Sequence, residues 1–323
     1  MNMPKISVIV PCHNAASTIR ACVQSILASS YPDFECIVVD DASLDGSVES
    51  LKGLNCRLIR LPANAGPGAS RNAGAREARG EILAFTDADC RVPPQWLSRI
   101  REALDDSTGA VSAGYNQPLN REPLALFQFY DTLFRQRNTP ELIETCISAN
   151  LGLTKKVFEE VGGFLPQYYG EDTSLGLAIS RKYTIKWDRN NGVAHYFNAG
   201  LRKFFIKHLR WTMGLVPIAC ANRNMPSKKT TWSFPEIARN LIFLAGFYIS
   251  VLLFCFLPFG GMAALLLLAA YILNNSVFFY FVARRENYKT ALKLLLFMPV
   301  RDSAWLCGLS LGTLKIIFRR STS

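Results

Sequence analysis

Residues 82–90 read ILAFTDADC, an apolar run closed by two carboxylates one residue apart, Asp87 and Asp89. The run Ile82 to Phe85 predicts a buried strand. Two such close carboxylates repel each other unless a cation neutralises them. Hard divalent ions such as Mg²⁺ or Mn²⁺ take oxygen ligands and bridge protein carboxylates to substrate phosphates. A solvated Asp-rich turn at a strand end would carry the same residues without an ion. A second acidic position is Asp172, in Gly170-Glu171-Asp172, where a helix over Thr173 to Arg181 is expected. There an Asp serves either as an N-cap or as a general base at a site rim, taking a proton from an acceptor hydroxyl. His195 is one of three histidines and follows a short expected strand, Gly192 to Ala194. A lone His is usually structural, but this one follows an expected strand.

The elements that must position these residues are legible in order. Ile6 to Val10 is a short apolar strand, broken by Pro11. Ala15 to Leu27 carries Ile19, Cys22, Val23, Ile26 and Leu27 at helical spacing. Phe34 to Val39 is a second strand, ending in Asp40-Asp41, and Arg57 to Leu61 a third. A Gly/Pro/Ala-rich stretch, Asn64 to Ser70, opens a helix over Ala69 to Ala78, and the Ile82 strand follows. Strands alternating with helices predict a parallel sheet with right-handed crossovers. In an open sheet of that kind ligands sit beyond the carboxyl ends of the strands, here at Pro11, Asp41, Asp87 and Asp89. Neither Gly-x-Gly-x-x-Gly after the first strand nor Gly-x-x-x-x-Gly-Lys-Ser/Thr occurs. A nucleotide is therefore expected on carboxylates, a metal and Arg71 rather than in a glycine cradle. Further on, Leu119 to Arg137 is aromatic-rich and expected as an amphipathic helix on the sheet, with acceptor lining as the alternative.

The net charge of +11 is uneven. Residues 1–200 hold 20 Lys/Arg and 22 Asp/Glu; residues 201–323 hold 16 and 3. The basic part is also the apolar part, which fits a membrane surface and not nucleic acid. The nine cysteines are odd in number with no Cys-x-x-Cys, so neither a zinc site nor a disulfide framework is expected, and a reducing compartment is. Ile6 to Val10 is too short for a signal peptide.

Lys203, Lys207, His208 and Arg210 alternate with Phe204, Phe205, Ile206, Leu209 and Trp211, which suits an interfacial helix lying on lipid. From Leu241 to Ala283 no side chain is charged, 43 residues in all. As helix that is ~65 Å, enough for two spans of a ~30 Å core, with a turn at Pro258-Phe259-Gly260-Gly261. Lys228, Lys229 and Arg239 precede the first expected span, and Arg284, Arg285 and Lys289 follow the second. Both flanks being positive places them on the cytoplasmic side. Ser303 to Leu314 is a shorter apolar stretch, read as interfacial or re-entrant.

Taken together, SVIVPCHN, IVVDDASLDGS, NAGPGASRNAGAREARGE, FTDADC, SANLGLTKKVFEEVGGF and GEDTSLGLAI resemble the inverting family-2 glycosyltransferases, which use nucleotide-sugar donors on the GT-A fold. The resemblance covers most of residues 5–215. It implies an α/β, Rossmann-like GT-A catalytic domain over 1–215; beyond it, the charge and apolar runs predict a basic juxtamembrane linker over 216–240, two transmembrane helices within 241–283 and an interfacial or re-entrant tail over 284–323. It implies Pro11 and Asp41 at the nucleotide base, Arg71 near the nucleotide, Asp87 at ribose or sugar, Asp89 and His195 on Mn²⁺ or Mg²⁺, and Asp172 as catalytic base. Membrane-bound relatives carry Gln/Arg-x-x-Arg-Trp; here Arg210 and Trp211 match and Lys207 departs, which argues against a processive polymer synthase. The RDSAWLCG stretch resembles the tail of ceramide-glucosyltransferase-like members.

The expected activity is metal-dependent, inverting sugar transfer from a nucleotide sugar, with UDP-sugar the expected donor, to a lipid or lipid-linked acceptor. The expected place is the cytoplasmic face of a membrane crossed twice. A polyprenyl phosphate is the rival acceptor. A sugar nucleotidyltransferase and a non-catalytic membrane scaffold are the rivals from other classes.

Overall fold

The computed structural model describes residues 6–105, 107–165, 170–221, 234–253 and 260–320. Two compact units result. The first takes residues 6–119 and Asn138–Phe197; the second takes Asn120–Arg137 and the described residues from Asn198 on.

The first unit is built of β1 (Ile6–Cys12), α1 (Ile19–Leu27), β2 (Phe34–Asp40), β3 (Arg57–Arg60), α2 (Pro67–Glu77), β4 (Ile82–Thr86), β5 (Cys90–Arg91), α3 (Trp96–Ala103), β6 (Thr108–Ser112) and β7 (Tyr115–Pro118). After α4 (Pro123–Gln136), which belongs to the second unit, come β8 (Leu142–Ile143), β9 (Asn150–Thr154), α5 (Lys155–Glu160), α6 (Glu171–Ser180), β10 (Thr184–Trp187) and β11 (Val193–His195). The main sheet runs β3-β2-β1-β4-β9-β6-β10-β8, and a small sheet runs β5-β11-β7.

Strands β1, β2 and β4 are near-continuous buried runs because helices cover both faces of the sheet. Successive side chains alternate between the faces. Val8 and Val10 join α1 and α3 in one core, while Ile9 joins α2, α5 and α6 in the other. Helix α1 buries Ile19, Cys22, Val23 and Ile26, one stripe of a 3.6-residue period. Helix α2 starts with Pro67 at its first turn. It lies close enough that a Cβ on Gly74 would sit 2.5 Å from Ile9 Cγ2.

The sheet is mixed, not all parallel. β1 is parallel to β2 and β4, but β9 is antiparallel to both β4 and β6. The chain leaves the sheet after β6, and β9 enters it in the opposite sense. Trp96 and the 191 loop pin its start, since Asn150 Oδ1 accepts from Trp96 Nε1 at 2.8 Å and Asn150 Nδ2 donates to Asn191 O at 2.7 Å.

The second unit adds α7 (Leu201–Ala221), α8 (Phe234–Leu253), α9 (Gly260–Asn274), α10 (Ser276–Ala283), α11 (Tyr288–Leu295) and α12 (Met298–Arg320). The aromatic face of α4 packs among these helices. Phe127 meets Phe204, Phe278 and Phe297, and Phe134 meets Phe278 and Phe281. Helix α7 runs well past the basic segment that announced it, against α12. A Cβ on Gly308 would lie 2.4 Å from Leu209 O, and one on Gly312 2.8 Å from Val216 Cγ2. Small residues four apart let two backbones approach in this way.

Among the described residues Tyr288–Phe318 is the one helix long and apolar enough to cross a membrane. The pair Gly261–Asn274 and Ser276–Ala283, bent by 40° at its break, would make a second if it is one span. Ala238–Leu252 is apolar but shorter. The apolar stretch after Arg301 is thus part of a 23-residue helix. Arg301 and Asp302 do not end it because they pair with each other and Arg301 also pairs with Asp131. The expected turn at Pro258-Phe259, and Lys228 and Lys229 of the basic linker, lie outside the described residues.

Gly176 tests how α6 is seated. A Cβ there would lie 2.6 Å from both Cys146 N and Thr145 Cα, which are backbone atoms. Gly176→Val is expected to lower unfolding free energy by about 3 kcal/mol, at the upper end of overpacking costs, as read from denaturant midpoints.

Candidate active site

The carboxyl ends of β1 and β2 are laced together before any ligand is considered. Asn14 and Ala42 both adopt left-handed backbone, φ 51° and 57°. Such residues are costly unless held by their surroundings, and they cluster at functional sites. Here the hold is reciprocal: Asn14 N donates to Ser43 Oγ at 3.0 Å, and Leu44 N donates to Asn14 Oδ1 at 2.9 Å. Asp41 is buried, and its two carboxylate oxygens accept the backbone N–H groups of Ala65 and Gly66 at 2.7 and 2.9 Å. The group expected at the nucleotide base therefore also anchors the loop that leads into α2. Pro11, in β1, is partly exposed beside this edge.

Arg71, on α2, is buried. Nη2 donates to Asp87 at 2.7 Å and Nη1 to Glu171 at 3.1 Å. One guanidinium thus joins α2, the end of β4 and the start of α6. Its place near a nucleotide, expected from sequence, is next to Asp87, as a partner of that carboxylate. Glu171 is a partner that the sequence reading did not single out. Its pKa is pushed up to about 7, chiefly by burial and then by Asp172 beside it, while Arg71 pulls the other way.

Asp172 lies in the first turn of α6, where Gly170 and not Asp172 is the N-cap residue. Its Oδ1 accepts from the Thr173 backbone N–H at 2.7 Å. Burial raises its pKa and Asp87 adds to the rise; the Thr173 N–H and Arg71 oppose it. A carboxylate moved toward neutrality is a better proton acceptor than an ordinary Asp.

Asp89 and His195 meet across the small sheet. Residues 90 and 195 are register partners in the β5–β11 pair, and His195 Nε2 stands 3.4 Å from Asp89 Oδ1. The imidazole is held between Tyr115 and Phe197, with ring centroids 4.5 and 4.4 Å away. Cys90 completes a group whose potential ligand atoms all lie within 4.8 Å of one another. Burial pushes the Cys90 thiol well up, with help from Asp89 and Asp87, and a soft sulfur is not the ligand that a hard ion selects. The remaining oxygen and imidazole nitrogen suit a divalent ion such as Mn²⁺, and the residues present fit that ion.

Tyr115, on β7, is the other residue that sequence reasoning missed. Burial raises its phenol pKa strongly, and the fields of Cys90, Asp87, Asp89 and Asp172 add to the effect. The three aspartates of the candidate site thus act on a single group. No periodicity could have pointed to it, since β7 has four residues. Arg210 and Trp211 lie on α7 in the second unit, where the Trp211 ring is 6.3 Å from that of Trp305.

Residues 7–162 match the family model Glycosyl transferase family 2. Similar curated proteins include the succinoglycan biosynthesis protein ExoO of Rhizobium meliloti, 32% identical over 49% of this chain and 48% of that protein. Glycosyltransferase AglE of Haloferax volcanii is 36% identical over 50% of this chain and 56% of that protein. The chain spans about half the length of these curated relatives. Among solved structures, the mannosyltransferase PcManGT from Pyrobaculum calidifontis, in complex with GDP-Man and Mn²⁺, superposes with a TM-score of 0.58. That match covers 99% of this chain and 88% of that one at 20% identity, a likeness of fold. The α/β architecture with its mixed sheet is similar to the GT-A fold of that structure.

The raised Glu171 pKa has a signed consequence for stability. A carboxylate that binds its proton more tightly folded than unfolded stabilises the fold at low pH, and that contribution is lost as pH rises through the folded value. Stability should therefore fall between the ordinary Glu value of 4.5 and about 7. Glu171→Gln should flatten that fall by up to ~1.4 kcal/mol per pH unit, measured by chemical denaturation across the window.

Proposed function

We propose, from a chain that carries a family-2 glycosyltransferase domain over residues 7–162, that the first unit transfers a sugar from a nucleoside-diphosphate sugar to an acceptor hydroxyl with inversion. The observation that carries this reading is the set of three aspartates in three environments around Tyr115. Asp89 is partly exposed and faces His195. Asp87 is tied to a buried guanidinium. Asp172 is partly buried with a raised pKa. Different environments on neighbouring carboxylates assign different protonic roles.

In this reading Asp172 accepts the proton of the acceptor hydroxyl as its oxygen bonds to the anomeric carbon. The bond from that carbon to the phosphate oxygen breaks with its electron pair on the departing nucleoside diphosphate. No covalent enzyme intermediate forms. Arg71 fixes Asp87 for contact with ribose or sugar and keeps a positive charge beneath the site. Asp89 and His195 would hold Mn²⁺, or Mg²⁺, which when bound offsets charge on the leaving diphosphate. Pro11 and the Asp41-anchored loop would border the base, with uridine the first choice.

A lipid or lipid-linked acceptor follows from the second unit's composition. Residues 201–323 combine 16 Lys/Arg with only 3 Asp/Glu, and they contain the candidate span Tyr288–Phe318. Basic residues beside apolar helices favour the cytoplasmic leaflet. Two spans are proposed, with the bent α9–α10 pair as one of them, in place of a hairpin confined to 241–283. The domain limits 1–215, 216–240, 241–283 and 284–323 are kept as a proposal for how the chain divides between catalysis and anchoring. Arg210 and Trp211 are proposed to serve the acceptor or donor phosphates.

The test is nucleoside-diphosphate release by detergent-solubilised protein with Mn²⁺, a donor panel led by UDP-sugars and including GDP-mannose, and membrane lipid extract as acceptor. Asp172→Asn should lower turnover ~10²–10⁴-fold and retain donor binding. Transfer at the wild-type rate in that variant overturns the base assignment. Asp89→Ala and His195→Ala should each weaken Mn²⁺-dependent donor binding, measured by titration without turnover. Unchanged affinity in both removes the metal assignment.

A further inference from the structure

The second unit contains a polar cavity that transfer chemistry in the first unit does not use. Its walls include Arg135 of α4, Arg239 and Asn240 of α8, Asn274 at the end of α9 and Asn275 at the break before α10, and Arg301 of α12. The space is about 60 Å³, several times the ~10–15 Å³ that one water needs on the same measure. That is room for one tetrahedral oxyanion.

The charges on this wall do not balance. Arg301 is buried and pairs with Asp131 and with Asp302, the latter at 2.6 Å. Asp302 also accepts from Tyr271 Oη at 2.6 Å. Asp131 is shared, since Arg135 reaches it at 3.0 Å. Three guanidinium groups thus stand against two carboxylates, and both carboxylates are engaged by Arg135 and Arg301. Arg239 is exposed and makes no ion pair among the described residues.

The amides add donors in the same place. Asn240 Nδ2 donates to Asn275 Oδ1 at 3.1 Å, Asn274 Nδ2 donates to Asn240 Oδ1, and Asn275 Nδ2 donates to Tyr271 O at 2.9 Å. Each amide nitrogen carries two N–H groups, so each keeps one beyond this chain of bonds. The first turns of two helices also contribute wall residues, Val277 and Phe278 from α10 and Met298 and Arg301 from α12. No side chain caps α10. Helix starts favour anions through their free N–H groups and dipole.

We propose that this cavity binds a phosphate monoester, the head group of an anionic lipid. Arginine forks and amide donors are the chemistry that recognises phosphate oxygens. The apolar helices around the cavity, Ala238–Leu252, the α9–α10 pair and Tyr288–Phe318, supply the surroundings for an acyl or prenyl chain. The inference needs only the second unit and stands apart from the transfer reading.

The experiment measures binding to the full chain in dodecyl maltoside by quenching of tryptophan fluorescence, Trp305 being a wall residue. The probes are phosphatidic acid in mixed micelles, phosphatidylcholine as the zwitterionic control, and inorganic phosphate. Phosphatidic acid should bind, inorganic phosphate should compete, and phosphatidylcholine should do neither. Arg239→Gln, at an exposed position with no ion pair to lose, should weaken phosphatidic acid tenfold or more, with an unchanged melting midpoint in the absence of ligand. Arg239→Lys should recover part of the loss. Binding of inorganic phosphate that phosphatidic acid cannot displace, but that Arg239→Gln weakens, would keep the anion site and overturn its lipid source. Absence of binding by both phosphate probes, or binding indifferent to Arg239→Gln, overturns the proposal.

Discussion

The guanidinium of Arg71 is the constraint on which the candidate site rests. It is buried, and it touches carboxylates from two elements other than its own, Asp87 after β4 and Glu171 at the start of α6. Burying a charge costs several kcal/mol and is tolerated only with close partners. Removing the cation would leave Glu171, Asp172 and Asp87 facing one another in a poorly solvated place, where like charges raise each other's pKa. Arg71 therefore does two things at once. It closes α2 and α6 onto the strand ends, and it opposes the rise that burial imposes on the pKa of Glu171 and Asp172.

That arrangement explains why acids of one type can divide the work. Asp41 meets two backbone N–H groups and anchors a loop. Asp87 meets a permanent cation. Asp89 stays partly open to solvent beside an imidazole. Asp172 is partly buried with one strong local donor, the Thr173 N–H. In the proposed reading, the local donors and the burial, rather than the residue type, separate an anchor, a positioner, a ligand and a base. Glycine does the complementary work at Gly74 and Gly176, where a side chain would meet Ile9 or the Thr145–Cys146 backbone. Those contacts bring α2 and α6 close enough for their acidic and basic side chains to meet.

Much of this was legible in the sequence, because a run of apolar residues ending in Asp is both a strand signal and a site signal. Ile82 to Asp89 and Phe34 to Asp41 announced themselves in that way. The direction of β9 was not legible: Asn150-Leu151-Gly152-Leu153-Thr154 has the composition of a strand in either sense, and pairing sense depends on where the chain has travelled in between. Cys90 and Tyr115 were hidden because β5 has two residues and β7 four, below the length at which periodicity carries information. Glu171 could be read only as a neighbour of Asp172, since its partner Arg71 is 100 residues away in sequence. The extent of α12 was masked by its own charges. Arg301 and Asp302 look like a boundary in one dimension and are a neutralising pair in three.

The same difference between charge in sequence and charge in space governs the second unit. Its excess of Lys and Arg over residues 201–323 could have been a uniformly solvated basic surface. Instead the two acids of that stretch with described side chains are used internally. Glu286 takes Arg121 and the Tyr130 hydroxyl at 2.7 Å each, and Asp302 takes Arg301 and Tyr271. Asp131 of α4 is drawn into the same network through Arg301 and Arg135. With these acids holding helices together, Arg239 has no carboxylate partner among the described residues. In the proposed reading an anionic membrane surface supplies its counter-charge, since juxtamembrane Lys and Arg each gain ~1 kcal/mol there. Internal pairing of the acids would then turn a compositional bias into a directed attraction.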